Sequence, residues 1–153
     1  MICILKSLKP RICFDKETIY EEHKDLDEVL LFESGNYDLG YEIDRKIFYK
    51  LRFKNRTGIG AFYVTFGKRT MFFCRANGEC KGYSIFKRQW LESMKLHPKV
   101  GKAFKQKLLF EFITKEKYFM DLHKERDMLK QDKMQKGQNT FVSYEIENKW
   151  EFM

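Results

Sequence analysis

Residues 57–75 read T-G-I-G-A-F-Y-V-T-F-G-K-R-T-M-F-F-C-R, and the fold turns on how this stretch is understood. Two glycines, Gly58 and Gly60, open it. A segment long enough for one helical turn follows, then a basic pair, Lys68 and Arg69, then a run with strand character. Glycine lets the main chain come close to an anion. The unpaired N–H groups at the start of a short helix point at that anion, with the helix dipole behind them. An arginine after the turn can fork onto phosphate oxygens. The stretch therefore reads as a phosphate-binding cassette between two strands. A tight turn followed by a surface arginine explains the same residues, because Gly-x-Gly alone is a weak signal.

The flanks of the cassette are strand-like. Tyr37, Leu39, Tyr41 and Ile43 alternate with Asp38, Gly40 and Glu42; after Asp44-Arg45, Ile47, Tyr49, Leu51 and Phe53 alternate with Phe48, Lys50, Arg52 and Lys54. A period of two marks half-buried antiparallel strands. On that reading Lys50, Arg52, Lys54 and Arg56 are the wet face of a strand. Further upstream, a helix end over 1–9 stops at Pro10, and short strands are expected at 11–14, 18–20 and 28–33. An acidic loop covers 21–27, and Ser34-Gly35-Asn36 reads as a turn. Downstream, strands at 70–75 and 82–86 flank a hairpin turn centred on Asn77-Gly78.

From Lys87 the period changes. Trp90, Leu91 and Met94 fit one helical face that ends near His97. Pro98 suits the first turn of a longer helix, in which Val100, Phe104, Leu108 and Phe112 recur every four residues. The pattern continues through Tyr118, Phe119, Leu122 and Met128, and residues 141–146 can add a short strand. The expected class is α+β, mainly β: an eight-stranded β-roll, a jelly-roll-like barrel holding the cassette, followed by two C-terminal helices. The expected division is 1–113 for the roll and its helices and 114–153 for a helical extension and tail.

Composition narrows the function. The 153 residues are 43% hydrophobic with 15 Phe and 8 Tyr, enough for a real core. No apolar run approaches the ~20 residues of a membrane span, and no signal peptide is visible, so a cytoplasmic setting is expected. The four cysteines show no C-x-x-C spacing and the three histidines are scattered, which disfavours a metal site. No histidine stands in a recognisable catalytic spacing with a nucleophile or carboxylate, so the chain does not read as an enzyme. Residues 44–96 carry 13 basic and 3 acidic side chains. Such a segment can attract nucleic acid, an anionic membrane face or a small anion, but the strand alternation already accounts for much of it, and nucleic acid is the least favoured partner.

At the level of motifs the chain resembles the cyclic-nucleotide-binding domain of cyclic-nucleotide-regulated channels and kinase regulatory subunits, over residues 8–113. L-K-P-R-I-C-F-D-K-E-T-I-Y-E-E-H-K-D-L-D-E-V-L-L-F-E-S-G-N-Y-D is similar to that family's first strands, with Asp15-Lys16-Glu17 at its turn, Ile19 on its second strand and Gly35 at the later glycine turn. I-G-A-F-Y-V-T-F-G-K-R-T resembles its F-G-E…R-A/T-A cassette: Gly60 falls on the glycine, Arg69 on the phosphate arginine and Thr70 on the small residue after it. The stretch from Cys80 through Trp90 to His97-Pro98 looks like the last strand and first helix of channel members, the potassium-channel versions of ciliates above all.

The resemblance implies a cytosolic, non-enzymatic regulator of a channel or other membrane-protein subunit, with cAMP or cGMP as ligand and no resident cofactor. It also implies that Gly60, Ala61, Arg69 and Thr70 line the phosphate and ribose site, and that Leu108, Phe110 or Phe112 lies over the base. The family's ribose-binding Glu is Ala61 here. Losing that charge-assisted hydrogen bond removes roughly 1.5–3 kcal/mol, or about one to two decades of affinity, so nucleotide binding is expected to be weakened or lost. Glu42 and Asp44 are the candidate substitutes. A roll without ligand, serving as a structural or interaction module, is the alternative.

Overall fold

The computed structural model describes residues 2–54 and 58–132. A short helix α1 (Ile2–Ser7) leads into β1 (Lys9–Cys13) and β2 (Thr18–Tyr20). Two long strands, β3 (Glu28–Ile43) and β4 (Lys46–Lys54), form a hairpin. Its two-residue turn, Asp44-Arg45, has both φ angles positive, at 50° and 64°. That is the primed turn whose twist matches the flanking strands. Helix α2 (Ala61–Phe66), strand β5 (Phe73–Phe86) and helices α3 (Lys87–Leu96) and α4 (Pro98–Gln131) complete the order.

Every strand pairing is antiparallel. The sheet runs β1-β5-β3-β4, with β2 also on β5, and among the described residues it is not closed. The architecture is thus the expected mainly-β roll followed by two helices, corrected in that the described residues form an open sheet of five strands where an eight-stranded barrel was expected. Ser34-Gly35-Asn36 and Asn77-Gly78, read as turns, are facing irregularities within one continuous ladder that runs from Glu28↔Phe86 to Gly40↔Phe73. Ser34 pairs with Lys81 and Asn36 with Asn77, so β5 carries the extra residues. Gly35 (φ 110°) and Gly78 (φ 81°) absorb the distortion as a bulge absorbs it, without reversing the chain. The Gly78 N–H donates to Asp15 Oδ1 at 2.7 Å, which ties the bulge to the β1–β2 turn. Residues 70–72, also read as strand, precede β5, and the strand expected at 141–146 lies outside the described residues.

The core lies between the sheet and the helices. Tyr41, Phe53, Phe72, Cys74 and Cys80 are almost fully buried, and Phe119 and Leu122 of α4 belong to the same cluster. Residues 113 and 114, where the division was expected, lie within α4, which contributes to this cluster on both sides of them through Phe112, Phe119 and Leu122. A second cluster joins Val29, Val64, Ile85, Trp90 and Leu108. Trp90 Nε1 donates to Thr65 Oγ1 at 2.9 Å, so α3 is pinned to α2. Where α3 and α4 cross, a side chain on Gly101 would put its Cβ 2.7 Å from the Met94 carbonyl oxygen. Gly101 is therefore buried on the face expected to present Val100, which is 63% exposed. The wet-face reading of the basic residues holds for exposed Lys54 but is corrected for two others: Lys50 is mostly covered and meets Glu125 of α4 at 3.1 Å, and Arg52 meets buried Asp38 at 2.8 Å; Arg56 lies outside the described residues.

Candidate functional site

The cassette stretch folds as a connector from β4 to β5. Ile59 is held by a reciprocal backbone pair with Leu30, at 2.8 and 3.0 Å. Gly60 then turns the chain at φ 82° into α2, and Gly67 at φ 60° ends the helix. This position needs glycine for its positive φ; a Cβ there would come 2.8 Å from Leu26 Cδ1, a contact that a shift of that side-chain end relieves.

Between this connector and α4 lies a cavity of about 80 Å³. The roll contributes Tyr20, Tyr37, Gly58, Gly60, Phe62 and Tyr63; α4 contributes Leu108, Glu111, Phe112, Lys115 and Phe119. Drug-sized ligands occupy pockets of about 300–1,000 Å³. The space as it stands holds a handful of heavy atoms. What closes it is the helix: the Phe112 ring stacks on Phe62 of α2 at 4.0 Å between centroids and 5° between planes. Phe112 also meets Phe119 at 5.7 Å.

The cavity is chemically mixed. Lys115 reaches under α4, with its Nζ 3.4 Å from the Tyr37 hydroxyl and 4.9 Å from the centre of the Phe53 ring. Burial pulls its pKa below the ordinary lysine value, and the charge of Glu111 one turn away pulls back. Tyr20 and Tyr37 are pushed upward by burial, and Tyr63 reaches about 12. The Tyr20 and Tyr63 hydroxyls are engaged with Cys74 and the Met71 backbone, while that of Tyr37 lies beside Lys115.

The four expected site residues are not brought together around this space. Gly60 lines it. Ala61 is buried at the start of α2. Arg69 is outside the lining; its side chain is 71% exposed and pairs with Asp25 at 3.8 Å, itself an exposed carboxylate. Thr70 is buried, but its hydroxyl is already used: Oγ1 donates to the Glu21 carbonyl and accepts from the Lys24 N–H at 2.9 Å. It stitches the acidic loop to the end of the cassette. Glu42 and Asp44 lie at the far end of the β3–β4 hairpin and are not among the lining residues. Of the three residues expected over a base, Leu108 and Phe112 face the cavity, and Phe110 is 56% exposed.

The residues that sequence reasoning missed are Lys115, Glu111 and Tyr37. Lys115 is one of many lysines in a long helix and fell beyond the expected domain edge. Glu111 and Lys115 flank Phe112 four residues apart, and nothing local sets them off from the other charged residues of α4.

With this geometry in place, comparison with solved structures shows the fold: the antiparallel roll with trailing helices is shared with proteins named for cyclic-nucleotide binding. Among solved structures, a Geobacter metallireducens protein named for cyclic-nucleotide binding superposes with a TM-score of 0.59 at 13% identity, over 72% of this chain and 80% of that one. A Silicibacter pomeroyi protein named as a cAMP-binding regulatory protein gives 0.55 at 12%, over 88% and 56%. The regulatory domain of Toxoplasma gondii PKA, solved with cAMP, gives 0.50 at 13%, over 67% and 41%. No protein-family sequence model matches the chain. No curated protein matches it in sequence.

Proposed function

We propose that this chain is a non-enzymatic, cytoplasmic regulatory domain of the cyclic-nucleotide-binding type whose own α4 fills the nucleotide position, so that its affinity for cAMP or cGMP is weak. The observation that carries the reading is the Phe62–Phe112 stack over a cavity too small for a nucleotide. Ala61, buried where a ribose-binding carboxylate would be expected, supports the same conclusion. So does Arg69, which stands in solvent rather than over the cavity. For a nucleotide to enter, α4 must lift. The apparent affinity is then reduced by the fraction of molecules in which it has lifted. In that lifted state Gly60 and Arg69 are the proposed contacts for the cyclic phosphate. The regulated partner is proposed to be a cation channel, on the resemblance of residues 80–98 to channel members; no helix among the described residues is long and apolar enough to cross a membrane.

A ligand-free interaction module is the second reading, favoured by the same small cavity. The two separate in a melting experiment. Under the first, millimolar cAMP or cGMP raises the midpoint of the intact chain in a concentration-dependent way, because a ligand that binds only the folded state stabilises it by mass action. A flat response to both nucleotides would leave the interaction module. A large shift at micromolar nucleotide would overturn the claim of weak affinity.

A further inference from the structure

Lys115 has an unusual environment for a cation. Its ammonium is tucked between α4 and the sheet, and among the described residues its contacts are the Tyr37 hydroxyl at 3.4 Å and the face of Phe53 at 4.9 Å. It forms no ion pair with a described carboxylate. The charge of Glu111 one turn away, the long hydrogen bond and the ring each offset part of the cost of drawing this ammonium out of water. Lys115 lines a half-open pocket of about 80 Å³ that Tyr20, Tyr37 and Tyr63 also line; the hydroxyls of Tyr20 and Tyr63 are engaged with Cys74 and the Met71 backbone, which leaves that of Tyr37 beside the ammonium. One carboxylate, Glu111, shares the wall. Its charge disfavours a dianion in the same space and tolerates a single negative charge next to Lys115.

We propose that the cavity beneath α4 is a binding site for a compact monoanion, a small carboxylate or a phosphodiester, held by the Lys115 ammonium and the Tyr37 hydroxyl. The cation for the anion is thus on α4 and not on the cassette. Occupancy would hold α4 down on the roll, because the anion's partners sit on both: Lys115 on the helix, Tyr37 on β3. The proposal rests on the regulatory reading only for the idea that α4 position matters; the site itself stands on Lys115, Tyr37 and the cavity.

The test is thermal melting of the full chain in acetate or dimethyl phosphate, against chloride and sulfate at matched ionic strength and pH 7. The expected result is a saturating rise in midpoint with acetate or dimethyl phosphate, none with sulfate, loss of the rise in Lys115→Met, and a several-fold weaker response in Tyr37→Phe. A response to acetate alone identifies a carboxylate, and a response to dimethyl phosphate alone a phosphodiester. Equal midpoints in all four salts, or the same rise in Lys115→Met, would overturn the proposal. Should Lys115→Met not fold, NMR of the Lys115 side chain in the unaltered protein decides. Its signals shift on titration with the active anion if the site exists, and their constancy counts against it. Failure here with cyclic-nucleotide binding intact would leave the regulatory reading standing, and the reverse outcome would leave the anion site.

Discussion

The Phe62 ring of α2 and the Phe112 ring of α4 lie face to face, 4.0 Å apart and within 5° of parallel. One belongs to the cassette connector, the other to the longest helix. Each ring covers a face of the other, so the stack ties the two elements together through the apolar area it buries. Replacing Phe112 with Ala removes it together with the contact to Phe119. The ring is only half buried, so the cost expected in chemical denaturation is about 2 kcal/mol, below the 3–5 kcal/mol of a full core Phe→Ala change. A loss under about 0.5 kcal/mol would show that α4 is not held there.

Asp38 is 2% exposed and takes both Arg52, at 2.8 Å, and Arg75, at 3.2 Å, while Arg75 also covers the Tyr49 ring at 3.8 Å. This cluster welds β3 to β4 on one side and β5 on the other. Asp38→Asn keeps the shape but leaves two guanidiniums facing each other without their counter-charge. The expected loss in a denaturant titration is about 3 kcal/mol, the usual scale for breaking a buried pair on one side. A melting point that does not move would show that the arginines are satisfied elsewhere.

Arg69 tests the difference between fold and ligand. Its ion pair with Asp25 is exposed at both ends, so Arg69→Ala should leave stability unchanged within the small range of surface substitutions. Its proposed role appears only when the pocket is open. In a Phe112→Ala background, Arg69→Ala is expected to weaken cAMP binding at least tenfold by calorimetry. Equal affinity in the two variants would remove Arg69 from the site.

His123 packs against the Phe72 ring at 4.7 Å between centroids. Its pKa lies below the ordinary value of 6.5, chiefly because burial disfavours the charged form, with the nearby Arg126 and His23 acting in the same direction and Asp127 against it. The unfolded chain therefore takes up a proton near pH 6.5 while the folded chain does not. The stability from this site is present above about pH 6.5 and is lost as pH falls toward and through the lower folded-state pKa. His123→Phe should flatten the stability profile between pH 7 and 5. An unchanged acid limb would assign that loss to other groups.

The parts of the structure that were legible in sequence are those where local pattern and packing agree. The alternation through 37–53 became the β3–β4 hairpin, with Asp44-Arg45 at its turn, and Pro98 did open α4. Gly35 and Asn77-Gly78 misled because positive-φ residues serve bulges as well as turns. Only the partner strand decides between them, and here each bulge sits in a ladder whose register is non-local. Arg69 and Thr70 were identified by position in a motif, but their surroundings depend on the acidic loop at 21–27. That loop captures the Thr70 hydroxyl and pairs Arg69 with Asp25. Lys115 could not be read at all. A lysine's role depends on whether its stem runs toward the sheet or away from it, and the sheet that buries it is some eighty residues upstream.

The most direct test of the central claim, that the chain's own helix occupies the nucleotide position, is a calorimetric titration of cAMP into the unaltered protein and Phe112→Ala side by side. Weak binding by the former, with at least a tenfold gain on removing the ring, is what the occupied pocket predicts. Tight binding by the unaltered protein, or no gain in the variant, would contradict it.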